Sequence, residues 1–388
     1  MNSFLSFISE ELNKLEREGL LRSMDCIETG CYPDISIENR RLINFCSNNY
    51  LSLNGHPYIT KAMKEAIDAW GSSSGASRLI VGNLILFERA EKVLAEFKKK
   101  ETALIFPSGY QANVTVISTL MQEGDEIFSD QLNHASIIDG CRMSKAKTSI
   151  YRHRDVNHLE SLLKKSRSRK KLIVTDGVFS MDGDIAPLLE ISEVAKKYDA
   201  LVVVDDAHST GVLGKEGRGT TEYFGIENEN IMVLGTGGKA LGVGGAFFCC
   251  PEKIRKYLIN RGRGFIYTTG AVPAIPAGLM ASVKVIKEEP QRRSRLSELS
   301  EYFHSSLKLN CLQTSEKPSH IIPLIIGDND KTLMIAEFLK QGGVYAKAIR
   351  YPTVPKGTER IRFSLTAEHT KEDIDKTVEV IKVVKSRL

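Results

Sequence analysis

Lys239 is the residue whose setting most suggests chemistry. It lies in the stretch GTGGKALGVGG (235–245), where so many glycines point to close backbone approach around one amine. An amine held among glycine and apolar residues has its charged form disfavoured, which suits a lysine that forms a Schiff base with a carbonyl. A surface lysine on a flexible loop is the plain alternative. Two nucleotide-binding readings fail on spacing. Ala240 follows Lys239 where a phosphate-binding P-loop needs Ser or Thr, and it also stands where a dinucleotide fingerprint beginning at Gly235 needs glycine.

Other polar groups sit just after apolar runs. Asp205 and His208 follow Leu201–Val204. A carboxylate at a strand end can pair with a protonated pyridine nitrogen, and a histidine three residues on can hydrogen-bond a phenolic oxygen of the same ring. A helix-capping Asp beside a satisfied histidine accounts for the same residues without chemistry. Ser108, Gly109 and Tyr110 open a helix after Ala103–Phe106, so their N–H groups suit a phosphate, or make an ordinary strand–turn–helix junction. His134, in NHAS (133–136), can stack on a planar cofactor or fill a core. Asp176, Gly177 and Ser180 follow Leu172–Thr175.

The elements that must carry these groups are legible in the pattern. Short apolar runs at Ala103–Phe106, Glu126–Ser129, Ser149–Tyr151, Leu172–Thr175, Leu201–Val204, Ile231–Leu234 and Ala246–Cys250 alternate with helical stretches such as Leu188–Tyr198. Runs buried on both faces between helices imply an α/β fold with a mostly parallel sheet. Ligands of such sheets bind beyond the carboxyl ends of the strands, where the polar groups above fall. After Pro273 come helices, Ile321–Ile326, the helix Lys331–Lys340, Gly343–Ile349 and the alternating strand Arg360–Leu365, which suit a smaller α+β domain. The expected division is a large domain at 46–285 and a small one from 1–45 plus 286–388. The first helix, with Leu5, Ile8, Leu12 and Leu15 on one face, needs a partner and is expected to join the small domain.

Composition closes off other classes. The chain has 388 residues, 42% apolar and 26% charged, so it is not a disordered chain. A net charge of +5 does not by itself indicate a nucleic-acid binder. The basic tract KKSRSRKK (164–171) reads as a solvated helix-to-strand connection, with a polyanion patch as the alternative. Ala271–Val283 is too short to span a bilayer, and the N-terminus is not a secretory signal. Seven cysteines without a C-x-x-C argue for reduced, buried thiols in a cytoplasm, and against a disulfide framework or a structural zinc site. No metal is expected.

Several stretches together resemble the α-oxoamine synthases, pyridoxal-phosphate enzymes of the aspartate-aminotransferase fold (fold type I) that condense an amino acid with an acyl thioester. They are FCSNNYLSL (45–53), GASRLIVGN (75–83), FPSGYQAN (106–113), NHASIIDG (133–140), TDGVFSMDGD (175–184), VDDAHSTGVLG (204–214), GTGGKALGVGG (235–245) and FIYTTG (265–270). The resemblance implies pyridoxal 5'-phosphate joined to Lys239, with Asp205 on the pyridinium nitrogen, His208 at the ring oxygen and His134 stacked on the ring. It implies that Gly109, Tyr110 and Thr236 hold the phosphate beside Ser108, with Ser180 near the ring oxygen. Thr268 and Thr269 resemble phosphate contacts supplied by a second subunit, which implies a homodimer with shared active sites. Asp176 stands where glutamate is commoner, and Ser52 where YLG is commoner than YLS. In IRYPTVPKGTERIRFSLTAEH (349–369), alternation puts Arg360 and Arg362 on one strand face and cannot choose between them, and two solvated cations would read the same way. The family uses the second arginine for the amino-acid carboxylate, which implies Arg362 with Asn48 assisting. The same stretch, with IIPLIIGDN (321–329), looks most like the branch that joins alanine to a pimeloyl thioester, carried by coenzyme A or a carrier protein. Arg22 is then a candidate for the far carboxylate of the acyl chain, or a lone surface arginine. Alternatives are a glycine-using acetyltransferase of the same family and a pyridoxal-phosphate-binding regulator without turnover.

Overall fold

Near the N-terminus, β1 (Asp34–Ile37) and β2 (Arg40–Asn44) pair antiparallel with Ile37 opposite Arg40. The two residues between them, Glu38 and Asn39, have φ of 52° and 59°, the conformation that a two-residue hairpin following the strand twist requires. Alternation in β1 buries Ile35 and Ile37 with Leu42 and Tyr345. The computed structural model describes residues 2–30, 32–226 and 230–385. The chain forms two compact units, a smaller one of residues 1–47, 181–183 and 297–388, and a larger one of 48–180 and 184–296.

The larger unit is built on a sheet of seven strands, β3 (Thr102–Phe106), β4 (Glu126–Asp130), β5 (Lys147–Tyr151), β6 (Lys171–Asp176), β7 (Leu201–Asp205), β8 (Ile231–Thr236) and β9 (Ala246–Cys250), in the order β3-β9-β8-β7-β6-β4-β5. Each expected apolar run is one of these strands. Pairings from β5 through β8 are parallel, and only β9 runs against its neighbours. The carboxyl ends of β3, β4, β6, β7 and β8 therefore share one edge, and β9 begins there.

Both faces of this sheet are buried, which is why its strands read as continuous apolar runs. Val203 packs with Leu172, Val174, Met232 and Leu234 on one side. Val202 and Val204 pack with Ile173, Ile231 and Val233 on the other. The expected boundary at 285 would cut the helix Ala274–Glu288, whose Ala277 packs on Ala66 and Leu86 of the larger unit. The division falls instead after Leu296.

In the smaller unit, β10 (Ile321–Ile325), β12 (Lys347–Ile349) and β13 (Arg360–Ser364) form an antiparallel sheet in the order β10-β13-β12. The run expected as one strand at 343–349 is divided at Ala346. Its first part, β11 (Val344–Tyr345), pairs parallel with β2, and its second part joins β13. The N-terminal helix Ser3–Arg17 is capped by the Asn2 side chain, yet it buries no residue, and Leu5, Ile8, Leu12 and Leu15 are exposed. The helix falls in the smaller unit, where it was expected, but the partner that its apolar stripe was expected to find there does not bury it. The cysteine expectation is corrected in part: no disulfide joins the described cysteines, but Cys26 and Cys311 are exposed. Cys31 lies outside the described residues. Among the described residues no helix is long and apolar enough to cross a membrane.

Candidate active site

β8 ends at Thr236, and the chain turns back into β9 through a loop closed by its own backbone. Gly237 N–H donates to Gly245 O (2.8 Å), Val243 N–H to Gly237 O (2.8 Å) and Gly242 N–H to Lys239 O (2.9 Å). A Cβ on Gly237 would lie 2.4 Å from Gly244 O, so the glycine is required by close approach. Lys239 is half-buried in this loop, and its Nζ lies 2.7 Å from His208 Nε2. His208 Nδ1 lies 2.6 Å from Tyr50 Oη, and Tyr50 Oη donates to Asn48 Oδ1 (3.1 Å). Lysine and histidine, expected from separate strand ends, are brought into direct contact.

The turn that aims His208 has an anchor that the sequence reading missed. Asp206 O accepts from Ser209 N–H (3.1 Å) and Thr210 N–H (2.8 Å). The Asp206 carboxylate, wholly buried, meets the wholly buried Lys98 Nζ at 3.0 Å. Lys98 sits in the run KKK (98–100), which looks like a solvated face. Its helix, Ile85–Lys98, turns that one side chain inward with Leu94 and Phe97, and only the doublet Asp205–Asp206 hinted at a partner.

Asp205 is buried at the end of β7. Its Oδ1 accepts from Ala207 N–H (3.0 Å) and its Oδ2 from Asn113 Nδ2 (2.6 Å). Asn113 also donates to Ser136 Oγ (2.9 Å), which lies 2.8 Å from His134 Nδ1, so one amide links Asp205 to the histidine. Asn113 lies inside the quoted FPSGYQAN motif, but the sequence reading gave it no role. His134 caps the helix Ala135–Ser144, and its ring is exposed rather than buried in a core. Nearby protein strips part of its hydration and pushes its pKa down, Asp205 pulling against this and Lys239 adding to it. Asp176 pairs in register with Asp205 across β6 and β7, and its Oδ2 accepts from His134 N–H (2.8 Å). Burial and then the Asp205 charge raise Asp176 well above the usual carboxylate range. The shorter acid at this position therefore has a direct contact: it holds the backbone of His134.

The helix Gly109–Leu120 begins at the end of β3, with Ser108 as its cap accepting from Gln111 N–H (3.2 Å). The Gly109 and Tyr110 N–H groups belong to the first turn, where no intrahelical acceptor exists. Gly109 lies beside the end of β8, where a Cβ built on it would make ordinary contact with Thr236 Cβ at 4.0 Å. Thr236 Oγ1 accepts from Gly238 N–H (3.2 Å) and donates to Gly245 O (3.0 Å). The Tyr110 side chain donates to Asp139. Ser180 follows a short bridge between Val178 and Ile185. Thr268 and Thr269 follow the short helix Arg263–Ile266, and among the described residues no hydrogen bond joins them to the lysine cluster.

Arg22 and Arg362 belong to the smaller unit. The pattern that put Arg360 and Arg362 on one face is accompanied by burial of Ile361 and Phe363 on the other. The two arginines are not a pair of solvated cations, however. Arg360 is buried, pairs with Asp182 and donates to Thr358 O (2.8 Å), whereas Arg362 is half-buried. Arg22 Nη2 donates to Thr353 Oγ1 (3.3 Å).

The donor set fits a planar, phosphorylated aldehyde bearing a ring nitrogen. An amine stands for the aldehyde, a helix N-terminus and a hydroxyl for the phosphate, and a carboxylate for the ring nitrogen. Each Asp205 oxygen has one hydrogen-bond donor, and a carboxylate oxygen accepts about two, so room remains for a ring N–H. Residues 40–381 match the aminotransferase class I and II family. The chain belongs to that family. Like other members of this aminotransferase family it has the type I fold of pyridoxal-phosphate enzymes, and pyridoxal phosphate is its cofactor. It is 43% identical over 374 residues to an 8-amino-7-oxononanoate synthase of Symbiobacterium thermophilum, covering 96% of this chain and 95% of that one. Among solved structures it resembles a serine palmitoyltransferase from S. paucimobilis bound to PLP and myriocin (TM-score 0.93, 31% identity, 99% and 98% of the two chains). It also resembles an 8-amino-7-oxononanoate synthase from Francisella tularensis (TM-score 0.78, 30% identity, 89% and 98%).

Proposed function

We propose that this chain condenses L-alanine with a pimeloyl thioester, releasing carbon dioxide and the thiol, to give 8-amino-7-oxononanoate. The contact between Lys239 and His208 beside Asp205 carries the assignment of the centre. Pyridoxal phosphate, when bound, supplies the electron sink that makes the alanine Cα–H acidic. Lys239 would hold the aldehyde, and its Nζ would take up the alanine Cα proton. Asp205 accepts the ring N–H and keeps that nitrogen protonated, its orientation fixed by Asn113 and Ala207. His134 would lie against the ring, while His208 and Ser180 would serve the ring oxygen. Ser108 caps the helix whose Gly109 and Tyr110 N–H groups, with Thr236, hold the phosphate.

Arg362 holds the alanine carboxylate, with Asn48 assisting. The fork of a guanidinium matches a carboxylate in two bonds, and Arg362 is the more accessible of the two arginines, which supports it for this task. A cavity of about 540 Å³ in the smaller unit supports the pimeloyl choice. Leu20, Leu21, Leu333 and Ile349 suit an alkyl chain, and Arg22 and Arg350 suit its far carboxylate. Burial and the nearby charge of Arg22 hold the Arg350 guanidinium below its ordinary pKa, as expected of cations gathered for an anion.

The active form is a homodimer in which Thr268 and Thr269 of a second copy reach the phosphate. In support, Gly270 is hydrogen-bonded to Ala76 and Ser74 beside the turn Arg78–Gly82, whose Leu79, Ile80 and Val81 are exposed apolar residues. The test is turnover of purified protein loaded with pyridoxal phosphate, with products identified by mass. Alanine with pimeloyl-CoA or a pimeloyl carrier protein should give 8-amino-7-oxononanoate. Preference for glycine and acetyl-CoA, or binding of the cofactor without any turnover, would overturn the reading.

A further inference from the structure

Asn113 is only 1% exposed, and its amide is satisfied on one side alone. Nδ2 donates to Asp205 Oδ2 (2.6 Å) and to Ser136 Oγ (2.9 Å), which uses both amide hydrogens. Oδ1 is buried and has no hydrogen-bond partner among the described residues. Turning the amide over would set Oδ1 against a carboxylate oxygen, so the orientation is forced. Asn133 shows the ordinary arrangement for a buried amide. Its Nδ2 donates to Ser129 Oγ (2.9 Å) and Val174 O (2.8 Å), and its Oδ1 accepts from Asp176 N–H (2.9 Å). A buried acceptor without a donor is destabilising, and native chains carry few of them. Asn113 keeps one while delivering two donors to two particular acceptors.

The remaining directions follow from groups that can act in one way only. Ser136 Oγ accepts from Asn113, so its own hydrogen is available to His134 Nδ1 at 2.8 Å. The Ser136 main-chain N–H reaches the same nitrogen at 3.2 Å. A main-chain amide only donates, so Nδ1 accepts and the neutral ring carries its proton on Nε2. The main chain thus decides the tautomer, and the hydroxyl ties the ring to Asn113. His134 is exposed, yet one edge of its ring is held in this way, and Asp176 Oδ2 holds its backbone N–H (2.8 Å). The helices Gly109–Leu120 and Ala135–Ser144, which carry Asn113 and Ser136, approach closely. A Cβ on Gly140 would lie 3.0 Å from Asn113 O.

We propose that Asn113 and Ser136 are positioning residues that join Asp205 and His134 into one rigid element. A single amide sets the carboxylate meant for the ring nitrogen and the imidazole meant for the ring face at a fixed spacing. Neither group then has to be ordered as the cofactor enters. In this scheme, which rests on the roles proposed above for Asp205 and His134, neither Asn113 nor Ser136 touches the cofactor.

The test is a titration of full-length chain, freed of cofactor with hydroxylamine, with pyridoxal 5'-phosphate, read by equilibrium dialysis. Ser136→Ala and Asn113→Ala should each weaken binding about threefold to tenfold, the equivalent of one hydrogen bond. The double variant should bind no more weakly than the worse of the two, because either change breaks the same link. At saturating cofactor, the visible circular dichroism per bound cofactor reports how asymmetrically the ring is held, and it should fall in Ser136→Ala. A merely structural serine would lower the urea midpoint and leave both readouts unchanged, and that result would overturn the proposal. So would losses that multiply in the double variant. His134→Ala is the control. If it binds the cofactor undiminished, the role of His134 falls and the proposal with it. If it binds weakly while Ser136→Ala is unchanged, the proposal alone falls. None of these readouts depends on turnover of alanine or a thioester. Should Asn113→Ala fail to fold, the affinity and dichroism of Ser136→Ala decide.

Discussion

Ser52→Gly should stabilise the protein. Ser52 has φ +55° and is only 7% exposed, and its Oγ is buried without a hydrogen-bond partner among the described residues. A Cβ in the left-handed region costs about 1–2 kcal/mol. A buried hydroxyl without a partner adds about 1 kcal/mol more. Glycine gives back about 0.5–1 kcal/mol through the entropy of the unfolded chain. The balance is a gain of about 1–2 kcal/mol, which for a unit of this size raises the melting temperature by roughly 2–8 °C. Urea unfolding followed by circular dichroism measures it, with Ser52→Ala as the partner variant. Alanine removes the hydroxyl and keeps the Cβ, so it should recover only the smaller share. If Ser52→Ala stabilises as much as Ser52→Gly, or if Ser52→Gly is destabilising, the backbone argument is wrong.

His153 bridges Asp130 and Asp184, each at 2.8 Å. Burial opposes its charge, but the two carboxylates outweigh burial and push its pKa up to about 9. Its contribution is therefore fully present below the ordinary histidine value near 6.5, and is lost as pH rises through about 9. Urea midpoints of the native chain and His153→Gln should differ at pH 6 and converge at pH 10. Lys98→Met leaves the Asp206 carboxylate buried without its cation and should cost about 3–5 kcal/mol in urea unfolding; Asp206→Asn added to it, which keeps an acceptor for Ser209 and Thr220, should recover part of that loss. Arg362→Lys should raise KM for alanine about tenfold or more while leaving KM for the thioester unchanged, measured by steady-state kinetics.

The large sheet was legible because its strands are covered on both faces, so burial alone writes the apolar runs of residues 103–106, 201–204 and 246–250 into the sequence. Strand ends then located Lys239, Asp205 and His208 by a general property of such sheets. What stayed hidden depends on partners far away in sequence. Lys98 is indistinguishable from its exposed neighbours until Asp206 is placed against it, and Tyr50 reads as core because one end of a tyrosine is apolar. Arg360 and Arg362 share a face, and the alternation does not show that Arg360 is buried against Asp182 while Arg362 is half-buried. The N-terminal helix has a clear apolar stripe, yet periodicity reports that a stripe exists and not what covers it. Ser52 was flagged only as a departure from a familiar pattern, and the left-handed backbone gives the physical reason glycine is favoured there.

The position of β3 sets a constraint on synthesis. This strand borders the sheet and, among the strands described, pairs with β9 alone, at a sequence separation of 148 between Thr102 and Cys250. At a translation rate of roughly 5–20 residues per second, its Ala-Leu-Ile-Phe segment emerges about 7 to 30 s before the strand that will receive it. During that interval the strand can pack on the helices just before and after it, through Glu91, Val116 and Ile117, but its ladder edge has no strand to pair with.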